Sequence, residues 1–235
     1  MKVTLLGHSG YLVEGRNTCL VFDYYTDELA LLERVPFGRK DVVFFVSHGH
    51  HDHFNPTIFD YADYERVAYV LARGVPADLP GAYVLAKGQT AEVMGVSVRA
   101  YGSTDEGVSF LTGFEGKTVF HAGDLNDWYW EDESTPAELK RDEQRFLDEI
   151  APLEGMPIDA AMFPVDARLG RHALRGPMRF ALSVRPRWLL PMHLNGDLGL
   201  PAELRASVEE SGLKEVAVAE IAHAGDNVLI DDELD

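Results

Sequence analysis

Four histidines and one aspartate lie within SHGHHDHF, residues 47 to 54. The chain has only nine histidines among its 235 residues, so nearly half of them are concentrated here. His48 and His50 are separated by one residue, and alternate side chains of an extended segment point the same way. Asp52 and His53 follow directly. Neutral imidazole and carboxylate groups are good ligands for zinc and similar divalent cations, so the spacing predicts a metal site.

The segment before this cluster is predicted to be a buried strand. DVVFFVSH, residues 41 to 48, is a continuous run dominated by β-branched and aromatic residues, which is typical of a strand covered on both faces. The cluster begins where the run ends. Ligands at the end of such a strand have a rigid support, which favours a functional site over a solvated polar loop.

Strands and helices follow one another along the chain without a linker or a low-complexity segment. Thr135 and Glu138 form a capping-box pattern that predicts a helix. The pattern of TDELALLERV, residues 26 to 35, predicts another helix with Thr26 as its N-cap. We expect a single domain, residues 1 to 235, in which sheet is covered by helices.

The composition restricts the classes of partner. The formal net charge is -18, which opposes binding to nucleic acid or to an anionic membrane. No apolar run approaches the length that spans a membrane, and the apolar run at the N-terminus is too short for a signal peptide. The single cysteine, Cys19, cannot form an internal disulfide. We expect a cytoplasmic protein that binds neither nucleic acid nor membrane.

The HxHxDH order after a hydrophobic strand resembles the metallo-β-lactamase superfamily. LGHSGYLVEG, residues 6 to 15, resembles the opening hairpin of the branch that contains ascorbate-6-phosphate lactonase-like hydrolases. The resemblance implies an α/β fold, a four-layer αβ/βα sandwich of two mixed sheets flanked by helices. It also implies that metals bind at the edge between the two sheets.

The resemblance extends to the remaining ligands. FHAGD, residues 120 to 124, is similar to the strand-end Gly-Asp of the family, whose aspartate bridges two metals, and PMHL, residues 191 to 194, is similar to the segment with the last metal histidine. The implied cofactor is Zn²⁺, one or two ions, with Mn²⁺ or Fe²⁺ as alternatives. The implied metal ligands are His48, His50, Asp52, His53, Asp124 and His193.

One histidine of the family pattern is absent. The family normally places it after a strand between HxHxDH and Gly-Asp, and the matching position falls near Gly102 or Ser103. Either the site of His48 and His50 is weak or empty, or an oxygen ligand such as Asp105 replaces the missing nitrogen. We expect a weakened site that fills only when metal is abundant.

Two other histidines have less direct roles. His121 lies on a predicted strand three residues before Asp124, so the two side chains tend to face opposite ways and His121 is not expected to be a ligand. His8 lies in a Gly-rich turn. It either donates to a metal-bound carboxylate or is an ordinary turn residue.

The predicted chemistry is hydrolysis, because a divalent cation lowers the pKa of bound water towards neutrality and polarises a carbonyl or phosphoryl oxygen. The family resemblance implies that Asp52 is the catalytic residue, which orients the water and relays its proton. The expected substrate is a small polar ester, lactone or phosphoester. The alternatives are a phosphodiesterase of nucleotide-like substrates and a non-catalytic metal-binding or sensing protein with a degenerate first site.

Residues that contact the substrate are predicted on three loops. Ser103 and Asp105 either hold a polar substrate or only connect strands, and Trp128 either roofs the site or packs under the following helix. Asp166 and Arg168 end the AAMFPV strand and begin a basic cluster. That cluster either binds a substrate anion or pairs with the acidic loop of residues 125 to 135. The aromatic residues of this loop leave room for a homo-oligomer.

Overall fold

The computed structural model describes residues 1–76 and 79–231. The α-helices of these residues are α1 (Pro136–Ile150), α2 (Arg175–Val184) and α3 (Leu200–Glu210). The strands are β1 (Lys2–Gly7), β2 (Gly10–Glu14), β3 (Thr18–Phe22), β4 (Asp41–Val46), β5 (Val67–Ala72), β6 (Tyr83–Leu85), β7 (Thr90–Val93), β8 (Val96–Tyr101), β9 (Ser109–Phe114), β10 (Lys117–His121), β11 (Ala160–Pro164), β12 (Trp188–Met192), β13 (Ala217–Val218) and β14 (Asn227–Leu229).

The strands form two mixed sheets. The first has the order β14-β1-β2-β3-β4-β5-β6, and the second has the order β13-β12-β11-β10-β9-β8-β7. Pairing is antiparallel from β14 to β3 and parallel from β3 to β6. In the second sheet, β10 to β13 are parallel and β7 to β10 are antiparallel. Neighbouring parallel strands end at the same edge of their sheet, which is where ligand sites form in such sheets.

The main hydrophobic core lies between the sheets, and β4 shows how the sequence builds it. Val43 and Phe45 belong to the core shared by both sheets, where the Phe45 ring lies 5.4 Å from the Phe110 ring of β9. Phe44 belongs to a second cluster on the other face of the first sheet. The strand is therefore buried on both faces, as its sequence predicts, and truncating Phe45 to alanine would cost about 3–5 kcal/mol.

The outer layers differ between the sheets. Helix α2 contacts β11, α3 contacts β13, and α1 contacts α2. Thr135 and Glu138 cap α1 reciprocally, as predicted. The first sheet is covered instead by loops and by short 3-10 turns, which contribute Leu32 and Ile58 to the second cluster. Among the described residues, no helix combines the length and the apolar character needed to cross a membrane.

The helix predicted for residues 26 to 35 is wrong. Only a 3-10 turn, Leu32–Arg34, forms there. The Asp27 carboxylate accepts the backbone N–H groups of Leu31 and Leu32, at 2.9 and 2.7 Å, and Ala30 has a left-handed φ of 50°. Aspartate competes with helix formation by bonding nearby backbone groups in this way.

Candidate metal centre

The predicted donors meet at the edge between the two sheets. The loop after β4 carries His48 to His53, the loop after β10 carries Asp124, and His193 follows β12 directly. Asp124 Oδ1 lies 3.1 Å from His53 Nε2, and Asp124 Oδ2 lies 3.4 Å from His48 Nε2. Residues that are more than 70 positions apart in sequence are thus adjacent in space. A Cβ atom at Gly123 would lie 2.8 Å from Ser47 Cβ, so a glycine is required where the two loops meet.

Asp124 contacts members of two sets of donors. The outer group consists of His48, His50 and Asp124, and the inner group consists of His8, Asp52, His53 and His193; within each group, the donor atoms lie within 4.8 Å of one another. In the outer group, His48 Nε2 and His50 Nδ1 are 3.1 Å apart. His193 Nε2 of the inner group lies 3.5 Å from Asp124 Oδ1, so Asp124 is shared by both sides.

The donor set fits a divalent cation. His8 Nε2, His53 Nε2 and Asp124 Oδ1 are buried and have no hydrogen-bond partner. A buried polar atom without a partner costs about 1–3 kcal/mol, so these three atoms favour a ligand that pairs with them. Nitrogen and carboxylate oxygen without sulfur suit zinc, manganese or iron.

Asp23 at the end of β3 anchors the histidine loop from behind. Its carboxylate accepts hydrogen bonds from Ser47 N at 2.7 Å, Ser47 Oγ at 2.5 Å and His53 Nδ1 at 2.8 Å. Because the Ser47 hydroxyl donates to Asp23, it accepts the Nδ1 proton of His48, at 3.0 Å. Both histidines therefore direct Nε2 towards Asp124, which is the arrangement that prepares an imidazole for a metal.

The other two donor rings have carboxylate partners of different kinds. Asp166 is fully buried, and its Oδ2 accepts from His193 Nδ1 at 2.9 Å. The partner of His50 is Glu106, whose Oε2 lies 3.4 Å from His50 Nε2, and both of these side chains are about half exposed, at 62% and 46%. His193 is therefore held more firmly than His50.

The charges of the centre are strongly coupled. Burial lowers the pKa of His53, but its close contacts with the Asp124 and Asp23 carboxylates outweigh it and raise that pKa to about 10. Burial raises the pKa of Asp124, but the close contacts of its carboxylate with His48 and His53 outweigh it and lower that pKa far below its usual range. Burial lowers the pKa of His8 to about 4, and His193 and His53 add to the effect. A cation that binds here displaces the His53 proton.

The structure gives His121 a structural role. Its Nε2 donates to Ser9 O at 2.9 Å, its Nδ1 accepts from Gly123 N at 3.1 Å, and its ring stacks on Phe22. Among the described residues, His121 belongs to none of the metal-capable groups. The same holds for Asp105, which is exposed and donates its backbone N–H to Ser103 Oγ at 3.3 Å.

A cavity of about 240 Å³, here called the rim pocket, lies beside the centre and is lined by residues that include Thr104, Asp105, Trp128, Trp130, Arg145 and Arg168. The Trp128 ring lies 5.9 Å from the His193 ring and is parallel to the Trp130 ring. The indole N–H of Trp128 donates to Asp124 O at 2.9 Å. The rim pocket is thus connected directly to the metal-capable donors.

The predicted substrate residues have different positions. Asp105, Trp128 and Arg168 line the rim pocket, and Ser103 contacts Asp105. The Asp166 carboxylate is occupied by Arg168 and His193. The rest of the basic cluster pairs with the acidic loop or with α1, through the contacts Arg171–Glu131, Arg175–Asp127 and Arg175–Glu143.

Sequence reasoning missed Asp23 and Glu106. Asp23 directly follows the CLVF strand β3, which pairs in parallel with β4. A carboxylate at the end of a strand that pairs with β4, the strand before the HxHxDH loop, indicates a residue of the site once that pairing is known. Glu106 has no comparable signal, because it lies in an exposed loop.

Two proteins named as metal-dependent hydrolases are similar to most of this chain. The UPF0173 metal-dependent hydrolase of Heliobacterium modesticaldum is 27% identical over 217 residues, which is 83% of this chain and 83% of that protein. The relative of the same name from Pyrococcus abyssi is 26% identical over 217 residues, with 83% and 85% of the two chains covered.

Solved structures show the same fold at low identity. Igni18, described as a novel metallo hydrolase from Ignicoccus hospitalis, has a TM-score of 0.68 at 20% identity, with 97% of both chains covered. The metallo-β-lactamase fold protein YhfI from Bacillus subtilis has a TM-score of 0.65 at 17% identity, with 97% and 98% covered. The predicted fold class is confirmed.

The family itself is shown by a match to a family model. The model of the β-lactamase superfamily domain matches residues 2–138, more than half of the chain. That range contains the HxHxDH loop and the Gly-Asp that carry the resemblance in the sequence. The chain therefore belongs to the β-lactamase superfamily domain family.

Proposed function

We propose that this protein is a metal-dependent hydrolase that cleaves a small polar ester, lactone or phosphoester. The observation that carries the proposal is the position of Asp124, whose Oδ2 faces His48 of the outer group and whose Oδ1 faces His53 of the inner group. The relatives named metal-dependent hydrolases support the same activity. The proposed metal ligands are His48, His50, Asp52, His53, Asp124 and His193, with Zn²⁺ as the expected ion and Mn²⁺ or Fe²⁺ as alternatives.

The proposed chemistry needs a nucleophile and a proton acceptor. A divalent cation in this centre supplies a water of lowered pKa and polarises the carbonyl or phosphoryl oxygen of the substrate. Asp52 is the proposed proton acceptor, because its side chain is 31% exposed and its Oδ2 lies 3.4 Å from His8 Nε2 at the centre. Burial raises the pKa of Asp52, but His53 and a backbone hydrogen bond outweigh it and lower that pKa, so Asp52 is ionised at neutral pH.

The rim pocket is the proposed substrate site. Its volume of about 240 Å³ is slightly below the usual range for ligand pockets, which favours a small metabolite. Arg168 and Arg145 supply guanidinium groups, Asp105 and Asp142 supply carboxylates, and Trp128 and Trp130 supply flat apolar surface. A lactonase-like activity agrees with these features. A phosphodiesterase of nucleotide-like substrates is the second candidate, because the two arginines can also bind phosphate.

The test uses protein that has been stripped of metal and reloaded with Zn²⁺, Mn²⁺ or Fe²⁺. Turnover is measured on a panel of esters, lactones and phosphoesters, with Asp52→Asn and His51→Ala as a matched pair. His51 lies in the same loop, but its side chain is 88% exposed. We expect Asp52→Asn to lower kcat by roughly 10²–10⁴-fold and His51→Ala to leave it unchanged. Tightly bound metal without turnover on any substrate would favour the metal-binding or sensing protein instead.

A further inference from the structure

The two donor groups are unequal. The outer group has two imidazoles and Asp124, whereas the inner group has three imidazoles and Asp52. Two imidazoles of the inner group, those of His53 and His193, also contact Asp124. The inner group therefore has more ligand atoms of its own, and the charges of both Asp52 and Asp124 lie beside it. The additional imidazole is that of His8, which lies outside the ligand set deduced from the sequence.

The backbone around His8 is built to direct its ring into the centre. His8 lies in the turn between β1 and β2 with a left-handed φ of 50°, a conformation that costs energy for a residue other than glycine. The backbone N–H of His193 donates to His8 O at 3.1 Å. The ring centroid of His8 lies 4.1 Å from that of His193 and 5.5 Å from that of His53.

The spacing of the inner donors matches one coordination sphere. Neighbouring ligand atoms at about 2.1 Å from one ion lie roughly 3.0–3.4 Å apart, whether four, five or six ligands surround the ion. His8 Nε2 lies 3.4 Å from Asp52 Oδ2, His53 Nε2 lies 3.1 Å from Asp124 Oδ1, and His193 Nε2 lies 3.5 Å from Asp124 Oδ1. His8 Nε2 is buried without a hydrogen-bond partner, so a hydrogen bond to Asp52 does not account for its position.

The groups behind the donor rings strengthen the same asymmetry. In the inner group, buried carboxylates accept the Nδ1 protons of His53 and His193, namely Asp23 and Asp166. In the outer group, His48 has the neutral Ser47 hydroxyl, and His50 has the exposed Glu106. A buried carboxylate behind an imidazole fixes its orientation and raises its basicity as a ligand.

We propose that His8 is a metal ligand, and that the inner group of His8, Asp52, His53 and His193, closed by Asp124, binds the first and tightest cation. The outer group then binds a second, weaker cation. This inference rests on one part of the proposed function, namely that a divalent cation binds between these groups.

The test is a cation titration of metal-free protein with Zn²⁺ by calorimetry and with Co²⁺ by visible absorption, on three variants and the wild type. His8→Asn removes the imidazole but suits the left-handed backbone, because asparagine tolerates positive φ. His50→Ala removes a donor of the outer group, and His51→Ala removes an exposed imidazole from the same loop.

We expect two binding events in the wild type. His8→Asn should weaken the tight event at least tenfold and change the Co²⁺ spectrum of the first equivalent. His50→Ala should weaken only the second event, and His51→Ala should change neither. A tight event that is unaltered in His8→Asn, or one that is lost in His50→Ala, would overturn the proposal.

A second measurement avoids any effect of substitution on folding. In wild-type protein labelled with ¹⁵N-histidine, one equivalent of Zn²⁺ should shift the Nε2 resonances of three histidines, with His8 among them and His50 absent. A shift confined to His53 and His193 would exclude His8 as a ligand while leaving the proposed function intact. A wild type that binds no cation at all would refute the proposed function itself, so the two failures are distinguishable.

Discussion

The donors of the metal centre and the side chains of the rim pocket are held in different ways. His193 directly follows β12, and His53 lies in the loop after β4. Both side chains are almost completely buried, and each ring has a carboxylate behind it. In the rim pocket, by contrast, the side chains of Arg168 and Arg145 are each 54% exposed. The centre is therefore preorganised for one kind of chemistry, whereas the rim pocket can change its shape and its substrate at low cost in stability.

The energies of the two regions differ for the same reason. When a buried charged group loses its hydrogen-bond partner, its charge is left uncompensated, which costs several kcal/mol of stability. Exposed ion pairs, such as Arg145 with Asp142 at 3.9 Å, contribute about 0–1 kcal/mol. Substitutions in the centre should therefore change cation binding and turnover together, and substitutions in the rim pocket should change mainly the apparent affinity for substrate.

The largest effect is expected from Asp124→Asn. The substitution keeps the shape of the side chain but removes the charge shared by both donor groups, so it should weaken both cations and lower kcat/KM by roughly a thousandfold, or about 4 kcal/mol. Metal content after dialysis and steady-state kinetics measure the two effects. Asp105→Asn in the rim pocket is the matched control and should retain full metal content. Full metal content in Asp124→Asn would contradict the shared role of this carboxylate.

A smaller but still large effect is expected from Asp166→Asn. Asp166 touches no donor atom that faces Asp124, but its Oδ2 holds His193 Nδ1 at 2.9 Å. Loss of such a partner typically weakens metal binding by about 10–100-fold. Calorimetric titration with Zn²⁺ measures the change, and it should fall on the tight binding event. An unchanged tight event would mean that other contacts hold the His193 ring, such as Asn195 Nδ2 at 3.1 Å from His193 Nδ1.

Sequence reasoning was more successful for the centre than for the rim pocket, because the centre is encoded locally. The HxHxDH loop places four donors within six residues, and Asp124 and His193 could be named because strand-end motifs resemble those of a known family. The sequence does not predict the role of Asp23, because that role depends on the parallel pairing of β3 with β4. That pairing is a long-range property that the local sequence does not reveal.

The rim pocket could not be derived in this way. Arg145 enters the pocket from α1, in which it is one charged residue among several, so only the packing of the helix reveals its role. The basic cluster was open to two interpretations, and the structure favours pairing with the acidic loop for Arg171 and Arg175. Exposed charged residues have many acceptable partners, and their sequence pattern does not select one.

A moderate effect, confined to substrate binding, is expected from Trp130→Ala. Trp130 stacks parallel to Trp128, and Arg168 lies 5.7 Å from the centre of its ring. Removing one face of such an aromatic pair costs about 0.5–1.5 kcal/mol, so KM should rise by roughly threefold to tenfold while Zn²⁺ stoichiometry and affinity stay unchanged. A loss of cation binding in this variant would show that the rim pocket and the centre are coupled, and would contradict the expectation that the two regions respond separately to substitution.

The smallest effect is expected from Glu106→Gln, which is the exposed counterpart of Asp166→Asn. Glu106 faces His50 Nε2 at 3.4 Å, and both side chains are accessible to water. An exposed pair of this kind contributes at most about 1 kcal/mol, so the affinity of the weak cation should fall by no more than about fivefold, and the tight event should not change. Zn²⁺ titrations of both variants at two salt concentrations measure the contrast, because salt screens an exposed pair more than a buried one. If Glu106→Gln weakened cation binding as much as Asp166→Asn, burial of the supporting carboxylate would not explain the difference in cation affinity between the inner group and the outer group.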